Sequence, residues 1–356
     1  MMWGRRVLLL LLCAGTCHAF EPEPIVFAHR DEIIRGSGYA VAADRRVFAV
    51  TALLNATGYD AEAEGKEMHP VRVVVRRMLD RHLVGKESQR REWSDQVQEL
   101  NLPIFVYLDF ALSLSTDHPF RRVRPDDELG YPAIAKRLAG LPDVLNEFWK
   151  VAKLEQIWNA IKPDYRAELE RYDFADMSAQ MSGLWHYLRL ERQDTHTIVN
   201  VPALLVQHYQ AIGALYENYY YTVESPGAGN YSLNLHEYMH SIVNPLVEAH
   251  VGSKPGALRS YLEAGRDGPL SESYGSLASF TAECVVRALD YRLRLNRSGD
   301  DDAAASLRQR VAEMTDQGLT LIEPVFDLLG SYEESEKTFD RWLPAALSGL
   351  SSHGSD

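Results

Sequence analysis

Two histidines four residues apart, with an acid beside the first, are the side chains of this chain best suited to chemistry: His236-Glu237-Tyr238-Met239-His240. Residues i and i+4 stack on one face of an α-helix, so both imidazoles can reach one cation. Glu237 lies one position round the helix, off the line of those ligands. From there it can take a proton from a water that the cation has made acidic. Nitrogen ligands with an open coordination position describe a catalytic zinc site. Zn2+ is therefore the expected cofactor, His236 and His240 two of its ligands, and Glu237 the general base.

Such a site needs a third protein ligand. The longer pattern H-E-x-x-H-x-x-G-x-x-H asks for Gly and His where the chain has Val243 and Leu246, so that class is excluded. The spacing that puts a glutamate near Arg259 or Ser260 is not met either. Glu263, Glu272 and Glu283 remain. Glu263 adjoins Ala264-Gly265-Arg266-Asp267-Gly268 and Glu272 precedes Ser273-Tyr274-Gly275, both of which read as loops. Glu283 falls in a largely apolar helical segment, where an unpaired carboxylate is expensive and a metal supplies the reason for it. Pairing with Arg287, one turn on, is the alternative. Asp290, on the same face again, either orients a ligand histidine or is solvated. Cys284 points about 100° away from Glu283 round the helix and reads as a buried core thiol. For a donor to transition-state charge, Tyr274 is favoured because it precedes the Glu283 helix; Tyr219, Tyr220, Tyr221 and His196 are the others.

The elements that must position these groups follow from periodicity. Leu235, Met239, Ile242, Val243 and Leu246 form an apolar stripe beside the stripe of His236, His240 and Asn244. Ser232 or Asn230 can cap the start of this helix, and Pro245 is expected to end or kink it near Asn244. Strands are expected over residues 197–201 and 218–223, then a glycine loop over 226–230. Further helices are expected over 276–295 and 303–329. Upstream, 70–83, 104–113, 131–141, 145–161 and 165–181 have helical spacing, whereas 24–27 and 41–50 read as extended or mixed. Trp149, Trp158 and Trp185 read as core. The fold class is α+β, predominantly helical: a mostly helical region over 20–194, then a region over 195–350 with a small sheet and the H-E-x-x-H helix.

These residues resemble a family. The combination is similar to the zincin metallopeptidases, in the gluzincin-like branch with a glutamate as third ligand. More narrowly, H-E-x-x-H-S-x-x-N-P over 236–245 followed by E-x-x-x-R-A over 283–288 resembles a group of uncharacterised secreted bacterial H-E-x-x-H proteins. The resemblance implies a zincin-like catalytic region with His236, His240 and Glu283 as ligands and Glu237 as general base. It covers the C-terminal half.

Compartment and charge narrow the function further. Residues 1–19 read as a secretory signal: Arg5 and Arg6, an apolar run from Val7 to Leu12, and a small-residue exit at Ala19. The run is too short to cross a bilayer, which takes about 20 residues. Cleavage would remove Cys13 and Cys17, leaving Cys284 without an intramolecular disulfide partner. The formal charge would go from −13 to −15 with the loss of Arg5 and Arg6. A chain this acidic repels phosphate backbones, and the best basic cluster, over 72–91, reads as the solvated side of an amphipathic helix. The expectation is an exported metallopeptidase, periplasmic or secreted, taking a peptide or protein substrate. Neither nucleic-acid binding nor stable membrane insertion after cleavage is expected. A zinc hydrolase of a non-peptide amide or ester, and a non-catalytic exported binding protein with a degenerate motif, are the alternatives.

Overall fold

Strands from the N-terminal part and from the middle of the chain meet in one mixed sheet. In the computed structural model, which describes residues 33–36, 39–59, 68–126, 129–130, 132–191, 197–207, 211–216, 219–225, 231–253, 255–270, 274, 276–298 and 301–350, five strands are present among the described residues. They are β1 (Ile33–Gly36), β2 (Tyr39–Ala42), β3 (Thr197–Pro202), β4 (Ala211–Tyr216) and β5 (Tyr219–Glu224), in the order β1-β2-β3-β5-β4. β2, β3 and β5 run parallel, and antiparallel β1 and β4 form the two edges. The β-branched and aromatic runs of β3 and β5 suit strands covered on both faces.

Helices make up most of the rest. Residues 41–50, expected as extended or mixed, instead finish β2 and enter α1 (Arg45–Ala56). The reason is visible in the burial: Arg46 through Ala56 are all buried, and a helix apolar on every side has no stripe for periodicity to find. Asp44 caps it, accepting from the backbone N–H of Arg46 at 2.8 Å. The basic cluster over 72–91 spans two helices, α2 (Pro70–His82) and α3 (Glu87–Leu100), with Gly85 at φ +74 in the turn between. Arg72 is not on a solvated face: it is fully buried, and its Nε donates to Asn55 Oδ1 at 2.8 Å.

α4 (Ile104–Leu112) and the short α5 (Pro132–Ala135) precede α6 (Leu141–Val151), α7 (Leu154–Leu169) and α8 (Phe174–Leu188). The apolar stripe from Phe148 to Ile161 therefore crosses a break, where Lys153 takes the left-handed conformation at φ 55. Both helices bury it against the same core. Trp149 and Trp158 are buried in that core, while Trp185 is half-buried and packs its ring on Tyr238.

The motif lies on α9 (Tyr231–Ser253), followed by α10 (Gly256–Ala264), α11 (Leu277–Ser298), α12 (Asp301–Asp316), α13 (Ile322–Glu333) and α14 (Phe339–Ser348). α9 does not end at Pro245. A proline inside a helix forfeits a bond to the carbonyl four residues back, at about 3 kcal/mol. Burial of Val243 and Val247 on either side of it offsets that cost. The span 303–329 is two helices, parted where Gly318 takes φ 106. α9 packs along α11 on one side and against β4 and β5 on the other. The molecule is predominantly helical α+β with a small mixed sheet. No helix among the described residues is long and apolar enough to cross a membrane, and the expected signal over 1–19 lies outside them.

Candidate metal centre

The site is assembled by two adjacent helices. α9 supplies His236 and His240, whose rings stand edge to face with centroids 5.0 Å apart, as the i, i+4 spacing requires. α11 supplies Glu283, buried in its apolar face. Its carboxylate reaches both imidazoles: Oε1 lies 3.7 Å from His236 Nε2 and Oε2 lies 3.3 Å from His240 Nε2. The three ligand-type atoms all lie within 4.8 Å of one another. This group can hold a metal ion.

Outer partners sharpen the fit. His240 Nδ1 faces Asn244 Oδ1 at 3.0 Å, one turn on along α9. Donation from Nδ1–H fixes the ring with Nε2 turned toward the Glu283 carboxylate. A protonated ring bonds that carboxylate through Nε2–H, whereas a neutral one offers a lone pair beside it, which suits a cation between the two. Arg287 donates from Nε to Glu283 Oε1 at 2.5 Å, so the pairing and the metal cluster coexist on one carboxylate. Tyr274 is half-buried and lines the same cleft as Arg287 and Glu283.

Burial and charge set the protonation of the centre. Burial holds His236 neutral, down to about 3, the form that ligates a metal. His240 is also disfavoured as a cation by burial, but the hydrogen bond and charge of Glu283 outweigh this and raise it. Burial pushes Glu283 up, yet the bond from His240 and the charges of His236 and Arg287 hold it well below the usual carboxylate range. Glu237 has no such set of partners: burial pushes it up to about 7, against the pull of His240 and Arg287 and a backbone bond from Gly213. A bound divalent cation would draw it down.

The centre opens on a cleft of about 1780 Å³. One wall is α9 and α11, with His236, Glu237, His240, Glu283, Arg287 and Tyr274. The sheet contributes the whole length of β4. The facing wall comes from the N-terminal helices, through Val97, Leu102, Phe105, Leu108 and Asp109. Phe105 and Leu215 keep their large apolar side chains 37% and 50% exposed within it.

Of the sequence candidates, His236, Glu237, His240, Glu283 and Tyr274 come together here. Glu263 stands exposed in the last turn of α10 and is not part of the cluster, and Glu272 and His196 lie outside the described residues. Asp290 is buried rather than solvated, and it pairs with Arg294 at 2.5 Å. Cys284 is a buried free thiol, pushed up by burial. Tyr219, Tyr220 and Tyr221 belong to β5, which is paired on both sides and so offers no edge to a peptide; the edge on the cleft is β4.

That edge strand carries a residue the sequence reading passed over. A Cβ at Gly213 would overlap the Tyr220 hydroxyl and lie 3.3 Å from the Glu237 carbonyl. The Tyr220 hydroxyl donates to that same carbonyl, so glycine lets the strand close on the motif helix. A lone glycine inside an apolar run, Ala-Ile-Gly-Ala-Leu-Tyr, was the available signal. Comparison of the chain with family models, with curated proteins and with solved structures finds no match.

Proposed function

We propose that the protein is an exported zinc-dependent peptidase. One observation carries the reading: a His-His-Glu group that can hold a metal, with a separate, half-buried carboxylate, Glu237, next to it on the wall of an open cleft. A structural metal site has no use for that fourth group or for access.

Two nitrogens and one carboxylate oxygen are a donor set suited to zinc, with His236, His240 and Glu283 as the residues that would hold it. When bound, zinc supplies Lewis acidity toward a carbonyl and toward water. Glu237 accepts the proton of the attacking water and returns it to the leaving amine. Asn244 holds the His240 ring in place and Arg287 holds the Glu283 carboxylate. Tyr274 stands beside that carboxylate as a donor toward developing negative charge.

A peptide substrate is favoured by the shape and edge of the cleft. Sites for small ligands are about 300–1,000 Å³, and this one is larger. Among the described residues β4 is an edge strand along it, and extended peptides add to such edges by backbone hydrogen bonds. The apolar Phe105 and Leu215 would meet side chains of that strand.

The test is metal analysis joined to peptide turnover. Purified protein should contain near one zinc per chain, lost in His236→Ala and Glu283→Ala. Glu237→Gln should keep the zinc and lose hydrolysis of an unstructured protein such as casein. Absence of metal after zinc is added back would overturn the reading, as would undiminished turnover in Glu237→Gln.

A further inference from the structure

On the flank of α9 away from α11, the sheet presents a polar patch inside an otherwise apolar interior. Asn200 and Thr222 are directly paired across β3 and β5, and Glu224 follows Thr222 by two, so all three share one face of the sheet. α8 and α9 cover that face. Asn200 Nδ2 approaches Met177 Sδ on α8 at 3.7 Å, and Glu224 Oε1 accepts from Asn234 Nδ2 on α9 at 3.5 Å. The Tyr172 hydroxyl, just beyond α7, donates to the same Oε1.

The seam is short of positive partners. Asn200, Thr222 and Glu224 are completely buried, and Asn234 is 6% exposed. Each keeps a buried oxygen without a hydrogen-bond partner: Asn200 Oδ1, Thr222 Oγ1, Glu224 Oε2 and Asn234 Oδ1. One such group costs about 1–3 kcal/mol, and native interiors hold few of them. Here four orphaned oxygens belong to one patch. An oxygen-only set with a carboxylate is what a hard cation takes.

Charge points the same way. Glu168 and Glu224 are both buried and repel each other. The nearby guanidinium of Arg171 serves Glu168, at 2.8 Å. Among the described residues no cation pairs with Glu224, and burial pushes it up to about 8. A single positive charge would make the seam neutral; a double one would leave a buried excess, which is costly.

We propose that Glu224, Asn234, Thr222 and Asn200 form a binding site for one alkali-metal cation, which ties the motif helix to the sheet. Asn234 lies two residues before His236, so the cation would brace the start of the ligand stripe from behind. The site is independent of the His-His-Glu group, because the two share no residue.

Thermal unfolding of the full chain at pH 9, where Glu224 is ionised, tests this in sodium, potassium or choline chloride at equal ionic strength. Sodium or potassium should raise the melting temperature by several degrees over choline, saturating with concentration as a bound ligand does. Glu224→Gln should erase the difference, and so should the near-isosteric Thr222→Val, which reports if the first variant fails to fold. His236→Ala should keep it. Equal melting temperatures in the three salts would overturn the proposal, leaving protonation of Glu224 as the answer to its burial. A salt difference that survives in both seam variants would overturn the ligand assignment. A rise with calcium chloride alone would overturn the monovalent charge.

Discussion

The two flanks of α9 bury carboxylates with opposite results. On the α11 side, Glu283 meets two imidazoles and a guanidinium, and they hold it ionised although burial works against the charge. On the sheet side, Glu224 meets a phenol and an amide, with Glu168 and Glu237 repelling it, and burial raises it to about 8. Both carboxylates are buried, so the partners decide. A buried acid that meets two imidazoles and a guanidinium has partners that favour its charged form. One surrounded by neutral oxygens marks a place where charge must arrive or be neutralised.

The largest expected effect lies between the flanks, at Glu237. Glu237→Gln should lower kcat/KM on a peptide about 10²–10⁴-fold, the contribution of a positioned base, with zinc content unchanged. A parallel loss of zinc would show instead that Glu237 acts through the metal group. On the α11 flank, Glu283→Ala should cost more in zinc affinity than any outer partner. Asn244→Ala should cost about 10–100-fold, measured by competition with a chelator. Equal losses in the two would erase the distinction between ligand and support.

The sheet flank is tested by pH. The folded Glu224 binds its proton more tightly than the ordinary 4.5, so the folded state holds more protons than the unfolded one between about 4.5 and about 8. Its contribution is therefore fully present below 4.5 and is lost as pH rises through 8. In choline buffer, denaturant titrations should show the wild type losing on the order of a few kcal/mol across that window. Glu224→Gln should remove this component, and an unchanged slope in that variant would break the contrast with Glu283. The smallest effect is expected at the strand that joins the flanks. Gly213→Ala should destabilise by about 1–3 kcal/mol, because the Tyr220 hydroxyl and the Glu237 carbonyl leave no room for a Cβ. A neutral result in the same titration would mean that β4 can shift off α9 without cost.

What was readable without coordinates is what short-range spacing encodes. The i, i+4 histidines, the apolar stripe beside them and a carboxylate stranded in an apolar helix are local patterns; the stripe is buried in the core, and the histidines and the carboxylate meet in one group that can hold a metal ion. The predominantly helical α+β class follows from the same periodicities. α1 escaped because a helix buried all round loses its stripe, and α9 outran Pro245 because tertiary packing outweighed one lost hydrogen bond.

The rest was decided by long-range closure. Nothing local says that β4 rather than β5 is the free edge, since pairing order is a property of the sheet. Nor does it say that Asp290 would choose Arg294, or that residues from 97 to 109 would wall the cleft facing the motif helix. The orphaned oxygens of the sheet-side seam belong to residues 200, 222, 224 and 234, which meet only when two strands pair and a helix lies across them. Which residues can do chemistry is legible in the amino-acid order, because side-chain type and helical phase are local. Which of them stand together is settled by folding, because a charge or a strand edge has no partner until distant segments meet.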